Sequence, residues 1–166
     1  MEQNVKLSAQ SNVHISKVNK KTGNHEEFLG NNLITKTALI GLARFIYGDF
    51  SQNDTYVSAS PYTPKYLGVG DGDTQTITVE STQLEHEIFN DELNPKRFLI
   101  SSRQIKSTVN SPISEVTFRV YIQSDMLYET DIKEVGLFVT ETGNTLWAGI
   151  KLDSPIHKGE NDIIVI

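Results

Sequence analysis

Near its start the chain alternates apolar and polar positions in two short runs. Val13, Ile15 and Val18 sit among His14, Ser16, Lys17 and Asn19. Lys20-Lys21-Thr22-Gly23-Asn24 then supplies turn residues, with Gly23 free to take a positive φ. His25-Glu26-Glu27-Phe28-Leu29 follows. The pattern predicts a protruding N-terminal β-hairpin with a polar outer face, an arm over 1–30. After Asn31-Asn32 the period changes. Ala38, Leu39, Leu42, Phe45 and Ile46 recur at spacings of three and four, which predicts one amphipathic helix near 35–47. Thr35, or Asn32, is the expected N-cap and Gly48 the expected stop. Gly41 lies near the apolar stripe, where a strand can approach closely.

From residue 49 onward the punctuation is that of loops and strands. Residues 49–64 are rich in Ser, Asn, Asp, Thr and Pro, with Phe50, Tyr56 and Tyr62 among them, and read as a long loop. Lys65 to Gly70 reads as a short buried strand and Asp71-Gly72-Asp73-Thr74 as a tight turn. Gln83 to Phe89 is expected to form a single helical turn, and Asn94-Pro95 breaks the chain again. Phe98-Leu99-Ile100 opens a strand expected to reach Val109. Val116, Phe118, Val120 and Ile122 alternate with polar neighbours, the clearest two-residue period in the chain, which places one face in a core. Ile132–Thr140 and Thr145–Leu152 flank Glu141-Thr142-Gly143-Asn144, a four-residue hairpin connection. Asp162 to Ile166 forms a terminal apolar strand that needs covering, by its own sheet or by another chain. These elements give a mainly β (α+β) chain: an antiparallel β-sandwich-like domain over 31–166, one helix packed on it, and the hairpin arm over 1–30.

Composition narrows the chemistry. The chain has 166 residues, no cysteine and a formal net charge of −6. Disulfides, thiolate metal sites and a cysteine nucleophile are therefore excluded. An acidic chain has no general attraction for phosphate backbones, so no direct nucleic-acid binding is expected. Lys17, Lys20 and Lys21 read as a solvated hairpin end. No apolar run approaches membrane-spanning length, so no membrane association is expected. The start, MEQNVKLSAQ, lacks the pattern of a signal peptide, so synthesis in the cytoplasm is expected.

No constellation of reactive residues emerges. His14 and His25 face each other across the hairpin with no evident third ligand, and His86 stands between Glu85 and Glu87, whose side chains diverge from it. His157 is expected in a loop before Lys158-Gly159. Asp71-Gly72-Asp73-Thr74 lacks the remaining positions of a calcium loop, and Glu80 does not complete it. Gly68-x-Gly70-x-Gly72 lacks the third glycine spacing and the Lys-Ser/Thr ending of a phosphate loop. Glu85 and Glu87 are paired acids without a defined separation. Gly136 inside a strand predicts a bulge or a close backbone contact. Trp147 is either an outward interface anchor or part of a core covered on both faces. No catalytic residue, metal or cofactor is expected.

Four stretches together resemble a known group. They are Asn32-Leu33-Ile34-Thr35 with the helix ending at Tyr47-Gly48; Tyr66-Leu67-Gly68-Val69-Gly70-Asp71-Gly72 with Thr82-Gln83-Leu84-Glu85-His86-Glu87-Ile88; Ile132-Lys133-Glu134-Val135-Gly136-Leu137-Phe138 closed by Gly143-Asn144-Thr145-Leu146-Trp147-Ala148; and Pro155-Ile156-His157-Lys158 before the last strand. In that order, over roughly 30–166, the chain resembles small β-rich tail-associated structural proteins of tailed bacteriophages, which include baseplate, collar and fibre-base components. In that group an arginine tends to follow the Leu-x-x-Glu segment; here the nearest is Arg97, beyond Pro95.

The resemblance implies a non-enzymatic structural subunit of the virion. It would be made in the host cytoplasm and act by assembly with copies of itself and with neighbouring tail, neck or baseplate proteins. The alternative is a host-surface glycan-binding module, with Tyr56, Tyr62 and Tyr66 as sugar-stacking aromatics.

Overall fold

The computed structural model describes residues 11–47, 63–91, 93, 95–107 and 114–166. The expected 49–64 loop, Gly48 and Val109 therefore lie wholly or largely outside the described residues. The fold is mainly β: an antiparallel curled sheet, a half-barrel, with one short helix.

β1 (Ser11–Asn19) and β2 (His25–Ile34) pair antiparallel, from Ser11 with Asn32 to Val18 with His25. Asn19 shapes the connection: its side-chain carbonyl accepts from the amides of Lys21 and Thr22 at 3.0 Å each. Gly23 then takes φ 72°, a conformation open to glycine without a Cβ clash. Alternation sets residues 1–30 apart as an arm. In the sheet, the described part of that stretch is held on both sides. β1 pairs with β11 (Asp162–Val165), the end of β2 pairs with β10 (Leu146–Lys158), and Val13 and Ile15 enter the core.

The remaining strands are β3 (Tyr66–Gly70), β4 (Glu87–Ile88), β5 (Phe98–Leu99), β8 (Tyr121–Ile122) and β9 (Thr130–Phe138). The nine strands run in the order β4, β3, β9, β10, β2, β1, β11, β8, with β5 beside β4 on the same edge of β3. One apolar cluster unites Val13, Ile15, Ile122 and Ile164 from one half of this order with Leu67, Val69, Val135, Ile150 and Ile156 from the other. Strands so far apart in the order can share a core only because the sheet curls. Burying each such side chain stabilises the fold by roughly 1.5–3 kcal/mol.

The terminal strand is interior, with β1 on one side and β8 on the other, so the sheet itself covers it. The two margins meet at one end, where Ser101 N donates to Arg119 O at 2.8 Å and Val120 exchanges two backbone bonds with Ile166. Beyond that seam, β6 (Ser102–Ser107) and β7 (Ser114–Arg119) pair, among the described residues, only with each other as a two-stranded ribbon.

The outer face is closed by loop 71–86 and by α1 (Lys36–Tyr47). Ile77 and Leu84 of the loop pack with Phe138, Leu146 and Tyr66. Gly136 permits this approach: a Cβ there would meet Leu146 Cδ1 at 2.6 Å and Phe138 Cε2 at 2.9 Å. The glycine thus marks a close contact. Trp147 packs on the inner cluster while Leu146 packs on the outer one, so both faces of β10 are covered at that point.

Several expectations are corrected. Residues 83–89 form no helical turn; Leu84 is pinned in the outer cluster, the amides of Glu85 and His86 donate to the Glu134 carboxylate, and Glu87-Ile88 pairs with β3. The strand expected from Phe98 breaks at Ile100-Ser101, where the chain leaves the body for the ribbon. His157 lies in β10, opposite Asp131, because that strand runs on to Lys158. Leu152 to Pro155 bulge out opposite the single residue Lys133, and Pro155, which has no N–H to donate, fits that unpaired position. Leu39 stands on the helix surface, 46% exposed, while Ala38 and Gly41 face the sheet. Thr35 occupies the N-cap position, its carbonyl accepting from Leu39 N. Its hydroxyl donates to the β10 carbonyls of Leu146 and Trp147 (2.6 and 2.9 Å), tying the helix start to the sheet.

Candidate interaction surface

Two of the histidines meet around one carboxylate. On β1 and β2, His14 and His25 both reach Glu27, which sits between them. His14 Nε2 contacts Glu27 Oε2, and His25 Nε2 lies 2.6 Å from Oε1. Ser16 Oγ donates to Glu27 Oε1 at 2.8 Å and lies 3.1 Å from His25 Nε2. Serine and carboxylate thus meet the same ring nitrogen. A nucleophilic triad needs them on opposite nitrogens, so that one orients the base the other uses. The two imidazoles face different oxygens of one carboxylate, and among the described residues no three His, Cys, Asp or Glu are grouped to hold a metal ion. All three side chains are well exposed, and the arrangement is a cross-strand polar cluster.

The acidic turn is likewise spoken for. The Asp71 carboxylate contacts His86 Nδ1, and both Asp73 oxygens bind Lys133 Nζ at 2.8 Å. The Asp71 hydrogen bond and charge raise the His86 pKa above 6.5, and the Asp73 hydrogen bond raises that of Lys133. Glu85 turns back to accept from the amides of Gln75 (2.9 Å) and Thr74 (2.8 Å) and from the Thr74 hydroxyl, and these bonds lower its pKa. Oxygens committed to separate partners do not converge as calcium requires. Glu85 and Glu87 also part company, the second turning to Arg97. The glycines at 70 and 72 make room for carboxylates: a Cβ on Gly70 would lie 2.8 Å from Glu134 Oε2, and one on Gly72 2.7 Å from Glu85 Oε2. Such surroundings repel a phosphate.

Three buried charges hold this framework. Glu134 has no exposed surface and accepts from the amides of Glu85 (3.1 Å) and His86 (3.4 Å), fixing the loop over β9. Arg97 binds Glu87 through two nitrogens (2.5 and 2.8 Å), donates to the carbonyls of Thr140 (3.0 Å) and Gly143 (2.8 Å), and stacks 3.5 Å over the Phe138 ring. Thus the arginine that is distant in sequence is brought back onto the Glu-rich segment. Lys158 is buried at the end of β10, with Ser124 O at 3.4 Å as its acceptor, and desolvation lowers its pKa below 10.5. All three act within the fold.

Several large apolar side chains face outward among the described residues. Leu93 is 98% exposed, Leu29 82%, Leu99 65%, Tyr128 59% and Val116 49%. Tyr128 is displayed by strain: Leu127 and Glu129 on either side have φ 46° and 55°. A non-glycine residue there costs roughly 1–2 kcal/mol. Leu127, buried in the core, holds the turn in place. The ribbon carries the apolar face of 116–122 out of the body. Ile122 and Val120 are buried, Phe118 packs at the core's rim and Val116 stands in solvent. Alternation alone placed all four in a core. It misses the ribbon because period two marks a face without telling how far that face stays covered.

Of the proposed sugar-stacking tyrosines, Tyr66 packs in the outer cluster, and Tyr56 and Tyr62 lie outside the described residues. Among the described residues no helix is long and apolar enough to cross a membrane. Compared with known proteins, the chain matches no family model, no curated protein and no solved structure.

Proposed function

We propose that this chain is a structural subunit of a bacteriophage particle, in the tail, baseplate, collar or neck, or fibre attachment, and that it works by protein–protein assembly. The carrying observation is the ribbon of β6 and β7, which leaves the body, joins no other strand among the described residues, and carries an apolar face running from Phe118 to exposed Val116. Unpaired strand edges beside apolar side chains are how extended segments join a neighbouring sheet. The resemblance of residues 30–166 to tail-associated proteins gives that capacity its setting. In this reading the curled sheet is a sandwich-like body, its halves folded over one core, and the turn at 20–24 is the protruding tip of the N-terminal hairpin. The glycan-binding alternative is weakened by Tyr66, which is partly buried against the outer cluster of Ile77, Leu84, Phe138 and Leu146.

The test is made on particles. Phage purified from a lysate of a host carrying this sequence are dissociated, and this chain is quantified against the other virion proteins by mass spectrometry. A fixed small-integer or symmetry-related copy number is expected. Absence from purified particles, with the chain abundant in the lysate, would sink the reading.

A further inference from the structure

Beneath the 71–86 loop the sheet carries a groove. Gly68 of β3 pairs with Gly136 of β9, and Gly136 pairs with Gly149 of β10, so three glycines stand side by side across three strands. Glycine inside a strand leaves space above the backbone and marks a place where another group comes close. The loop fills that space over two of the three. A Cβ on Gly149 would lie 2.9 Å from Ile77 Cδ1, and one on Gly136 would lie 3.1 Å from Leu84 Cδ2. Both loop side chains are buried in this seat.

The loop is held down lightly. From Asp71 to His86 the chain takes neither helix nor strand, so it has no ladder of its own. Two backbone bonds join its middle to the body: Leu146 N donates to Thr82 O at 2.9 Å and Lys36 N to Val79 O at 2.8 Å. Around them stand solvent-accessible ion pairs, Lys133 with Asp73 and Lys36 with Glu80. Exposed pairs of this kind add little. Segments tied by few packed contacts open locally while the rest of the fold stays shut. At the base the two ends of the loop meet. Asp71 N donates to His86 O at 3.1 Å, and the Asp71 carboxylate contacts His86 Nδ1.

We propose that loop 71–86 is a pH-sensitive strap: a charged His86 latches its base, and a neutral His86 lets it lift as one unit and bare the glycine groove. This holds whether or not the chain enters a particle. The groups around the imidazole set the sign. Asp71 faces it from the start of the loop, Glu134 from β9 and Glu85 from the adjoining position. Lys133 of β9 is the cation near Asp71, and both Asp73 oxygens hold its ammonium. Lys151 of β10 stands 3.9 Å from Glu85, and Glu87 of β4 is turned away to Arg97. The hydrogen bond and charge of Asp71 therefore favour the charged ring, and Glu134 and Glu85 add to the attraction. A neutral ring gives up that attraction among three carboxylates. The latch is complete below 6.5 and is lost as pH rises through the raised value.

The test is amide hydrogen exchange of the full chain between about pH 5.5 and about pH 8, on either side of the ordinary imidazole value, with rates corrected for the intrinsic effect of pH. The amides of Leu146, Lys36 and Glu85 report on the strap. Those of Val120 and Ile166, at the seam between the sheet margins, report on the body. Protection of the strap amides is expected to fall about two- to fivefold across this range, the scale of an exposed ion pair, while the body amides hold steady. Asp71→Asn and His86→Gln, both at solvent-accessible side chains, each abolish the fall. Ile77→Ala empties the seat over Gly149 and lowers protection of the three strap amides by one common factor at every pH. Protection that ignores pH, a fall shared by Val120 and Ile166, or a fall that survives in either latch variant overturns the proposal. So do strap amides that answer Ile77→Ala by different factors, since the loop would then open piecemeal.

Discussion

Arg97 is the residue whose loss the fold should feel most. Its guanidinium is buried, forks onto Glu87, donates to two carbonyls and lies on the Phe138 ring. Arg97→Met keeps an unbranched side chain against Phe138 but strands the Glu87 carboxylate, whose side chain is 12% exposed, and leaves Thr140 O and Gly143 O without their donor. Removing one partner of a buried pair costs about 3–5 kcal/mol, chiefly because the other charge stays behind. Loss of the cation–ring contact adds about 0.5–2 kcal/mol, which sulfur against the ring partly offsets. A net loss of about 4 kcal/mol lowers Tm by roughly 8–16 °C in a domain of this length.

Thermal unfolding followed by circular dichroism reads this shift directly, with urea unfolding as a check on the slope. Glu87→Met in the Arg97→Met background removes the stranded charge while leaving the two carbonyls without a donor. The double variant is therefore expected to regain about half of what the single variant loses, a coupling of about 2 kcal/mol. A fall of less than about 2 °C for Arg97→Met would mean that the exchange of water for protein partners nearly balances. Strict additivity in the double variant would refute the claim that the stranded carboxylate is the main cost.

Deletion of residues 1–30, the stretch whose alternation reads as an arm, removes Val13 and Ile15 and uncovers β10 and β11; loss of near-ultraviolet dichroism and binding of an apolar dye are expected, and a sharp native-like transition would contradict this. Lys158→Met is expected to stabilise by about 1 kcal/mol, since it removes a buried ammonium with one long hydrogen bond. Because burial lowers the Lys158 pKa, the gain is greatest below that lowered value and shrinks as pH rises from it towards 10.5, which urea titrations at several pH values would follow. His86, its pKa raised by Asp71, contributes stability that is complete below 6.5 and lost as pH rises through its folded pKa. Proton NMR of His86 should show a titration above 6.5 that Asp71→Asn brings back to the ordinary value.

Where a residue's neighbours lie close in sequence, the pattern carried the information. The turn at 20–24 is set by Asn19 and Gly23, the hairpin at 141–144 by Gly143 with φ 82°, and the helix by a stripe that includes Ala38. What escaped depends on partners far along the chain. Leu84 looks helical until Glu134, fifty residues away, takes the amides that a helical turn would have used. Arg97 and Glu87 are ten residues apart across a proline, and nothing local marks them as a pair. Leu39 and Ala38 are adjacent apolar residues, and only the placement of β10 decides which of them is covered. The His14–Glu27–His25 cluster was half legible, because hairpin register brings the histidines together but side-chain reach decides that Glu27 fills the space between them.

A curled sheet that stops short of a barrel keeps two margins, and each margin is a site where foreign strands can add. In this chain the outermost strands, β4 and β8, are two residues each, too short to template a stable pairing. The margins are also sewn together at one end through Ser101, Arg119, Val120 and Ile166. Both devices suppress indiscriminate association. The ribbon is longer: immediately beyond the seam, the chain builds six consecutive pairs that join no other strand among the described residues. A sequence that shortened every edge would read as a solitary domain. One that shortens its margins and lengthens a single ribbon offers a strand pair of ordinary length at one described place, and the assembly reading proposed above predicts that neighbours join there.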